Sequence, residues 1–160
     1  MSTPLEPSGA MPVDASEIYR RYLSAVMLHG HAGARAVDLG ATDLYALNIL
    51  DLTGPLTPGE LGARTGLTTG PTTRLVDRLE KAGYVRRAAD PADRRKVIVE
   101  PVDRPGGLDQ ALAPARRRIA ALLGSYSPEH IVVLFDYFTH AAEAYREAAE
   151  ELQGGPGQSG

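Results

Sequence analysis

The chain has 160 residues, 43% hydrophobic and 23% charged, which is apolar enough for one folded domain with a core and excludes a chain that is disordered throughout. It contains no cysteine, which excludes disulfides, zinc–thiolate sites and thiol redox switches. The net charge of −3 hides an asymmetry: residues 64–96 carry nine Lys or Arg against four Asp or Glu, whereas the rest of the chain carries eight against sixteen, so a polyanion has one segment to bind.

In chain order, residues 1–13 and 154–160 are rich in Pro, Ser and Gly and read as disordered tails around a single domain over 14–151. The N-terminal stretch has no basic residue and no sustained apolar run, so it does not resemble a secretory signal. Ile131 to Phe135, the longest strongly apolar run, is too short to span a bilayer. The expectation is a cytoplasmic protein with no membrane partner.

From Ala15 to about Arg35, Ile18, Tyr19, Tyr22, Leu23, Val26 and Met27 recur at three- and four-residue steps, the stripe of an amphipathic helix. A second helix runs from Thr42 to about Leu52 and is stopped by Gly54-Pro55. Thr57-Pro58-Gly59-Glu60 has the form of a capping box with proline at the first helical position, and it opens a short third helix. Gly66 then suits a tight turn, Thr68 can cap a fourth helix to Ala82, and Gly83 ends it. Two helices joined by a tight glycine turn make a helix-turn-helix. Tyr84–Arg87 and Lys96–Val99 read as two strands around a turn-rich linker, a β-hairpin wing. A Gly/Pro joint over 101–107 leads to a fifth helix near Leu108 to Leu123, and Ser127-Pro128-Glu129 opens a sixth. The fold class is therefore mainly α with a small β wing of two or three strands.

On the fourth helix, placing Thr72, Leu75, Val76 and Leu79 in the core turns Gly70, Thr73, Arg74, Asp77 and Lys81 outward, with Arg78 beside them. Such a face suits a major groove, where Arg pairs bidentately with guanine and Thr meets a thymine methyl. Arg74 is the foremost base-reading candidate. Thr68, Thr69 and the first-turn amides suit a phosphate. In the wing, Asp93-Arg94-Arg95-Lys96 suits a minor groove, whose narrow negative space favours arginine. Asp93 is placed to accept hydrogen bonds from Arg95 and hold its long side chain in an inserting pose.

The ordered segments Leu56-Thr57-Pro58-Gly59-Glu60-Leu61, Thr65-Gly66-Leu67, Thr73 through Gly83 and Asp90-Pro91-Ala92-Asp93-Arg94-Arg95 resemble the multiple antibiotic resistance regulator (MarR) family, most strongly over residues 39–99. The resemblance implies a dimeric winged-helix repressor with intertwined terminal helices and a small-molecule site near the junction with the DNA-binding lobes. It also matches the family's wing aspartate and arginine to Asp93 and Arg95. Two features depart from the pattern. Glu100-Pro101-Val102-Asp103 stands where members often carry Leu-Thr-x-x-Gly, and Gly70-Pro71 is unusual early in a recognition helix.

The apolar surface of the last helix, with Leu108, Leu112, Ile119, Leu122 and Leu123, exceeds what a small lobe needs and points to a homodimer on a pseudo-palindromic duplex. Helices about 15–35 and 108–151 would form that dimer. Tyr19, Tyr22, Met27 and His31 on the first helix suit either dimer core or a pocket for a small apolar or aromatic ligand. No cofactor and no resident metal is expected. The competing readings are an enzyme or a histidine-based metal-responsive regulator, with His140 and Glu143 the best-spaced pair among the four histidines' surroundings, and a winged helix used only for protein contacts.

Overall fold

The computed structural model describes residues 14–103 and 106–154, so the tail expected at 1–13, all but Gly154 of the tail expected at 154–160, and the middle of the joint after the wing lie outside the described residues. The chain divides into two compact units, residues 1–112 and 113–160. In the first, the described residues form α1 (Ala15–Arg35), α2 (Ala41–Thr53), α3 (Pro58–Thr65), α4 (Thr69–Lys81), β1 (Val85–Ala89), β2 (Val97–Pro101) and the start of α5 (Gly106–Leu123). The second holds the rest of α5 and α6 (Pro128–Gln153). The result is a mainly helical winged helix-turn-helix.

The lobe is built on a core of Leu47 and Leu50 from α2, Leu61 from α3, Leu75, Val76 and Leu79 from α4, and Val99 from β2, all essentially fully buried. At roughly 1.5–3 kcal/mol for each large aliphatic side chain taken out of water, this cluster is the main stabiliser of the unit. Leu108, expected at a dimer interface, belongs to this core and is fully buried, and Leu112 packs against it half-buried. The first turns of α5 therefore close the lobe. Spacing alone could not separate a helix's lobe-facing start from the rest of its length.

The hairpin is antiparallel, with Val85 opposite Pro101 and Ala89 opposite Val97. Both strands end later than the sequence pattern suggests. Pro101 is tolerated because the next ladder bond runs from the Val102 amide to the Tyr84 carbonyl, so no amide is required of the proline. Leu56 forms an isolated bridge to Val99, with Val99 N to Leu56 O at 2.7 Å and the reciprocal bond at 3.1 Å. That bridge is the third, one-residue strand.

Two helices leave apolar faces uncovered. Of α1 only Gly33 and Ala34 are buried, and Ile18, Tyr22, Val26, Met27 and Leu28 stand 49–68% exposed. Within the second unit, α6 has no buried residue, and Val132, Val133, Phe135, Tyr137, Phe138 and Tyr145 are all exposed. Phe135 and Phe138 meet edge to face at 6.0 Å, so the aromatics are grouped along the helix. No described helix is long and apolar enough to cross a membrane.

Candidate nucleic-acid interface

The helix-turn-helix is set by local chemistry. Thr57 and Glu60 close their capping box, the Glu60 carboxylate accepting the Thr57 amide at 2.8 Å and the Thr57 hydroxyl accepting the Glu60 amide. The Thr57 hydroxyl also donates to the same carboxylate at 2.8 Å, and the two bonds, the amide's first, hold the Glu60 carboxyl below its ordinary pKa. Gly66 takes the left-handed conformation at φ 71°, which turns the chain from α3 into α4. Across that turn the helices nearly touch at Gly62, where a Cβ would lie 2.7 Å from the Thr72 hydroxyl oxygen.

The four positions expected to face the core of α4, Thr72, Leu75, Val76 and Leu79, are the buried ones. Thr68, Thr69, Gly70, Thr73, Arg74, Asp77, Arg78 and Lys81 are exposed. Thr68 occupies the N-cap, but its hydroxyl makes no capping bond. The first-turn amides of Thr69 and Gly70 therefore lack a side-chain cap, and Pro71 has no amide to offer. The outward residues do not share one condition. Arg78 is held by Asp43 of α2, its Nη2 2.7 Å from Oδ1 and its Nε 3.3 Å from Oδ2. That hydrogen bond raises the pKa of the guanidinium, which stays charged. Asp77 accepts from Arg87 Nη2 at 2.6 Å. Arg74 and Lys81 have no side-chain partner among the described residues.

Arg87 ties the wing to α4. Besides reaching Asp77, its backbone amide and Nη1 donate to the Glu80 carboxylate at 3.0 and 2.6 Å. Those bonds, the amide's first, lower the pKa of Glu80. Neither Arg87 nor Glu80 stood out in the sequence, since the tie joins residues seven and ten apart across a helix end.

At the tip, two aspartates fold the turn. Asp90 Oδ1 accepts the Ala92 amide at 2.8 Å, and Asp93 Oδ1 accepts the Arg95 amide at 3.1 Å. Asp93 thus holds the backbone of Arg95 rather than its guanidinium, because a carboxylate reaches an amide two residues on more readily than the end of a long side chain. Its own carbonyl accepts the Lys96 amide at 2.9 Å. The side chains of Arg94, Arg95 and Lys96 are exposed on this fixed turn.

A cavity of about 430 Å³ lies within the first unit, between α1 and α2 with Leu112 of α5. Met27 and His31 line it, as do Leu44, Tyr45, Asn48 and Asp51; Tyr19 and Tyr22 do not. The α2 contribution was missed, although Ala41, Leu44, Tyr45, Asn48 and Asp51 recur at helical steps as a mixed polar and apolar face. Among the described residues no group of three or more His, Asp or Glu is placed to hold a metal ion, and Glu143 is engaged by Arg146.

A family model described as MarR family matches residues 37–96, the helix-turn-helix and most of the wing. The uncharacterized HTH-type transcriptional regulator YcgE of Bacillus subtilis is 39% identical over 140 residues, 87% of this chain and 91% of that one. The HTH-type transcriptional repressor NicR of Pseudomonas putida is 34% identical over 84 residues, 51% of this chain and 53% of that one. A solved MarR family protein from Bacillus stearothermophilus aligns with a TM-score of 0.62 and 28% identity, over 86% of this chain and 99% of that one.

Proposed function

The chain belongs to the MarR family of transcriptional regulators, and from that premise we propose that it binds double-stranded DNA sequence-specifically as a homodimer, represses nearby genes and is released by a small molecule. The observation that carries the DNA reading is the division of its cations. Arg78, Arg86 and Arg87 are paired with acids inside the lobe, whereas Arg74, Lys81, Arg94 and Arg95 have no side-chain partner among the described residues. Cations left unpaired on a recognition face and on a wing tip match what phosphates and groove edges require.

Arg74 reads a base edge, with Thr68, Thr69, Gly70 and Thr73 at the helix start against the backbone or a thymine methyl. Arg94, Arg95 and Lys96 enter the neighbouring minor groove from the turn that Asp93 folds. Asp77 and Arg78, both engaged within the lobe, act through the pose of α4. The uncovered apolar faces of α1 and α6 support dimerisation, since monomers rarely leave such patches in water. Two-fold symmetry then calls for half-sites roughly 34 Å apart. Repression agrees with the name of the Pseudomonas relative. The cavity lined by Met27, His31, Tyr45 and Asn48 takes the ligand, whose occupancy acts only if it differs between DNA-competent and incompetent states.

Titrating a random-sequence duplex over a salt series tests the DNA reading. Counterion release predicts that log K falls linearly with log salt, by roughly 0.9 per phosphate contact. Absence of duplex binding at low salt would overturn it.

A further inference from the structure

We propose that Asp43 is a positioning residue for DNA recognition: through Arg78 it fixes the pose of α4, and thereby the sequence preference, with neither residue touching DNA. The inference rests on the DNA-binding reading above. Asp43 is buried, 2% exposed, at the start of α2. A carboxylate taken out of water must have its lone pairs satisfied. Here Oδ2 accepts the Gly40 amide at 2.9 Å and Arg78 Nε at 3.3 Å, and Oδ1 accepts Arg78 Nη2 at 2.7 Å. The Gly40 bond fixes the carboxylate to the first turn of α2. The two bonds to Arg78 form a planar fork.

The fork supplies something the apolar core does not. Contacts among Leu75, Val76, Leu79 and their neighbours resist separation of α4 from the lobe, but they are non-directional. A bidentate arginine–carboxylate pair is directional and sets both rotation and register. Arg78 lies one helical turn beyond Arg74, so the turn that the fork holds is the turn next to the proposed base-reading side chain. Base readout depends on geometry at the level of about half an ångström, which makes the fork a determinant of preference. Asp43 is also 35 residues from Arg78 in sequence.

The decisive variant is Asp43→Ala, because it removes the clamp and leaves the Arg78 guanidinium, already half-exposed, in place. Two probes are used: the duplex that wild-type protein selects from a random pool, and a random-sequence duplex at low salt. Asp43→Ala should bind the selected duplex about tenfold more weakly, the weight of one well-placed base contact, and the random duplex within about twofold of wild type, with an unchanged salt slope. Arg78→Ala should do the same, and the double variant should lose nothing further, since both single changes remove one interaction. Asp43→Asn keeps an acceptor for the Gly40 amide and should show a smaller loss of preference, with a melting temperature nearer wild type; all affinities are compared per folded protein by thermal melts. Unchanged preference in Asp43→Ala and Asp43→Asn overturns the proposal. So does a salt slope about one lower in Arg78→Ala with both duplexes weakened equally, which makes Arg78 a phosphate contact. Failure of the wild-type protein to bind any duplex removes the DNA reading, and this inference with it; failure confined to the variants' comparison removes this inference alone.

Discussion

Arg74 and Arg78 stand one turn apart on α4 and carry the same charge, yet only Arg78 has an acidic partner. The difference yields two separate predictions. Arg74→Ala should cost about 1–3 kcal/mol of specific binding and relax preference at one base position, read by sequencing the duplexes each protein selects. Arg95→Ala should instead weaken binding broadly. For stability the order is different again. Arg78→Ala leaves the buried Asp43 carboxylate without its cation, a change worth about 3 kcal/mol or more. Asp43→Ala leaves Arg78 with its head in water and removes only a hydrogen-bond acceptor, worth about 1–2 kcal/mol. Urea melts should therefore rank Arg78→Ala as the less stable of the two. The reverse order would mean that solvent already satisfies Asp43.

Between elements, the helix-turn-helix depends on a near contact at Gly62 and a left-handed turn at Gly66, both suited to glycine. Gly62→Ala puts a methyl group against the Thr72 hydroxyl and 3.1 Å from the Leu67 carbonyl oxygen, and should cost about 1–3 kcal/mol by overpacking. Gly66→Ala forces a side chain into the left-handed region at about 1–2 kcal/mol, though its Cβ would meet open space. The two variants separate crowding from backbone strain, and calorimetry of each against wild type measures the two costs.

The wing's attachment gives a pH prediction. Glu80 has its pKa lowered by the Arg87 amide and guanidinium, so its contribution is complete above the ordinary glutamate value of about 4.3 and is lost as pH falls through and below it. Glu80→Gln should be less stable than wild type at neutral pH, and the gap should close as the solution is acidified. A gap that stays the same size from neutral pH into acid would show that the carboxylate's charge is not what holds the wing.

These elements also show what a one-dimensional pattern can carry. The core face of α4, the Gly66 turn and the Thr57–Glu60 box were legible because each is fixed within a few residues by helical period or capping chemistry. Asp43 to Arg78, Arg87 to Glu80 and the α2 wall of the cavity were not, because each depends on which helices become neighbours. Asp43 reads in sequence only as an acid suited to a helix start. Leu108 had the right apolar character and the wrong destination for the same reason.

For the whole molecule, the exposed apolar face of α6 gives the sharpest test of the dimer. A substitution at a residue that is solvent-exposed in the functional state changes stability by about 0.5 kcal/mol or less. Val132 and Val133 are 69% and 68% exposed in the single chain, and Phe135 is 50% exposed. If the chain worked as a monomer, Val132→Glu and Phe135→Glu would fold and melt like wild type. If α6 is buried by a second copy, each places an unpaired carboxylate in an apolar interface, and wild-type melting should rise with protein concentration while the variants fail to associate. Sedimentation velocity should show the loss of the dimer directly. The DNA consequence follows from linkage of two reading heads: a full pseudo-palindromic duplex gains from simultaneous engagement by a factor of about 10²–10⁴ over a half-site duplex. Wild type should show that gap, and Phe135→Glu should bind full and half-site duplexes alike. Equal binding of the two duplexes by a wild-type dimer would mean that its two α4 helices are not spaced for one operator.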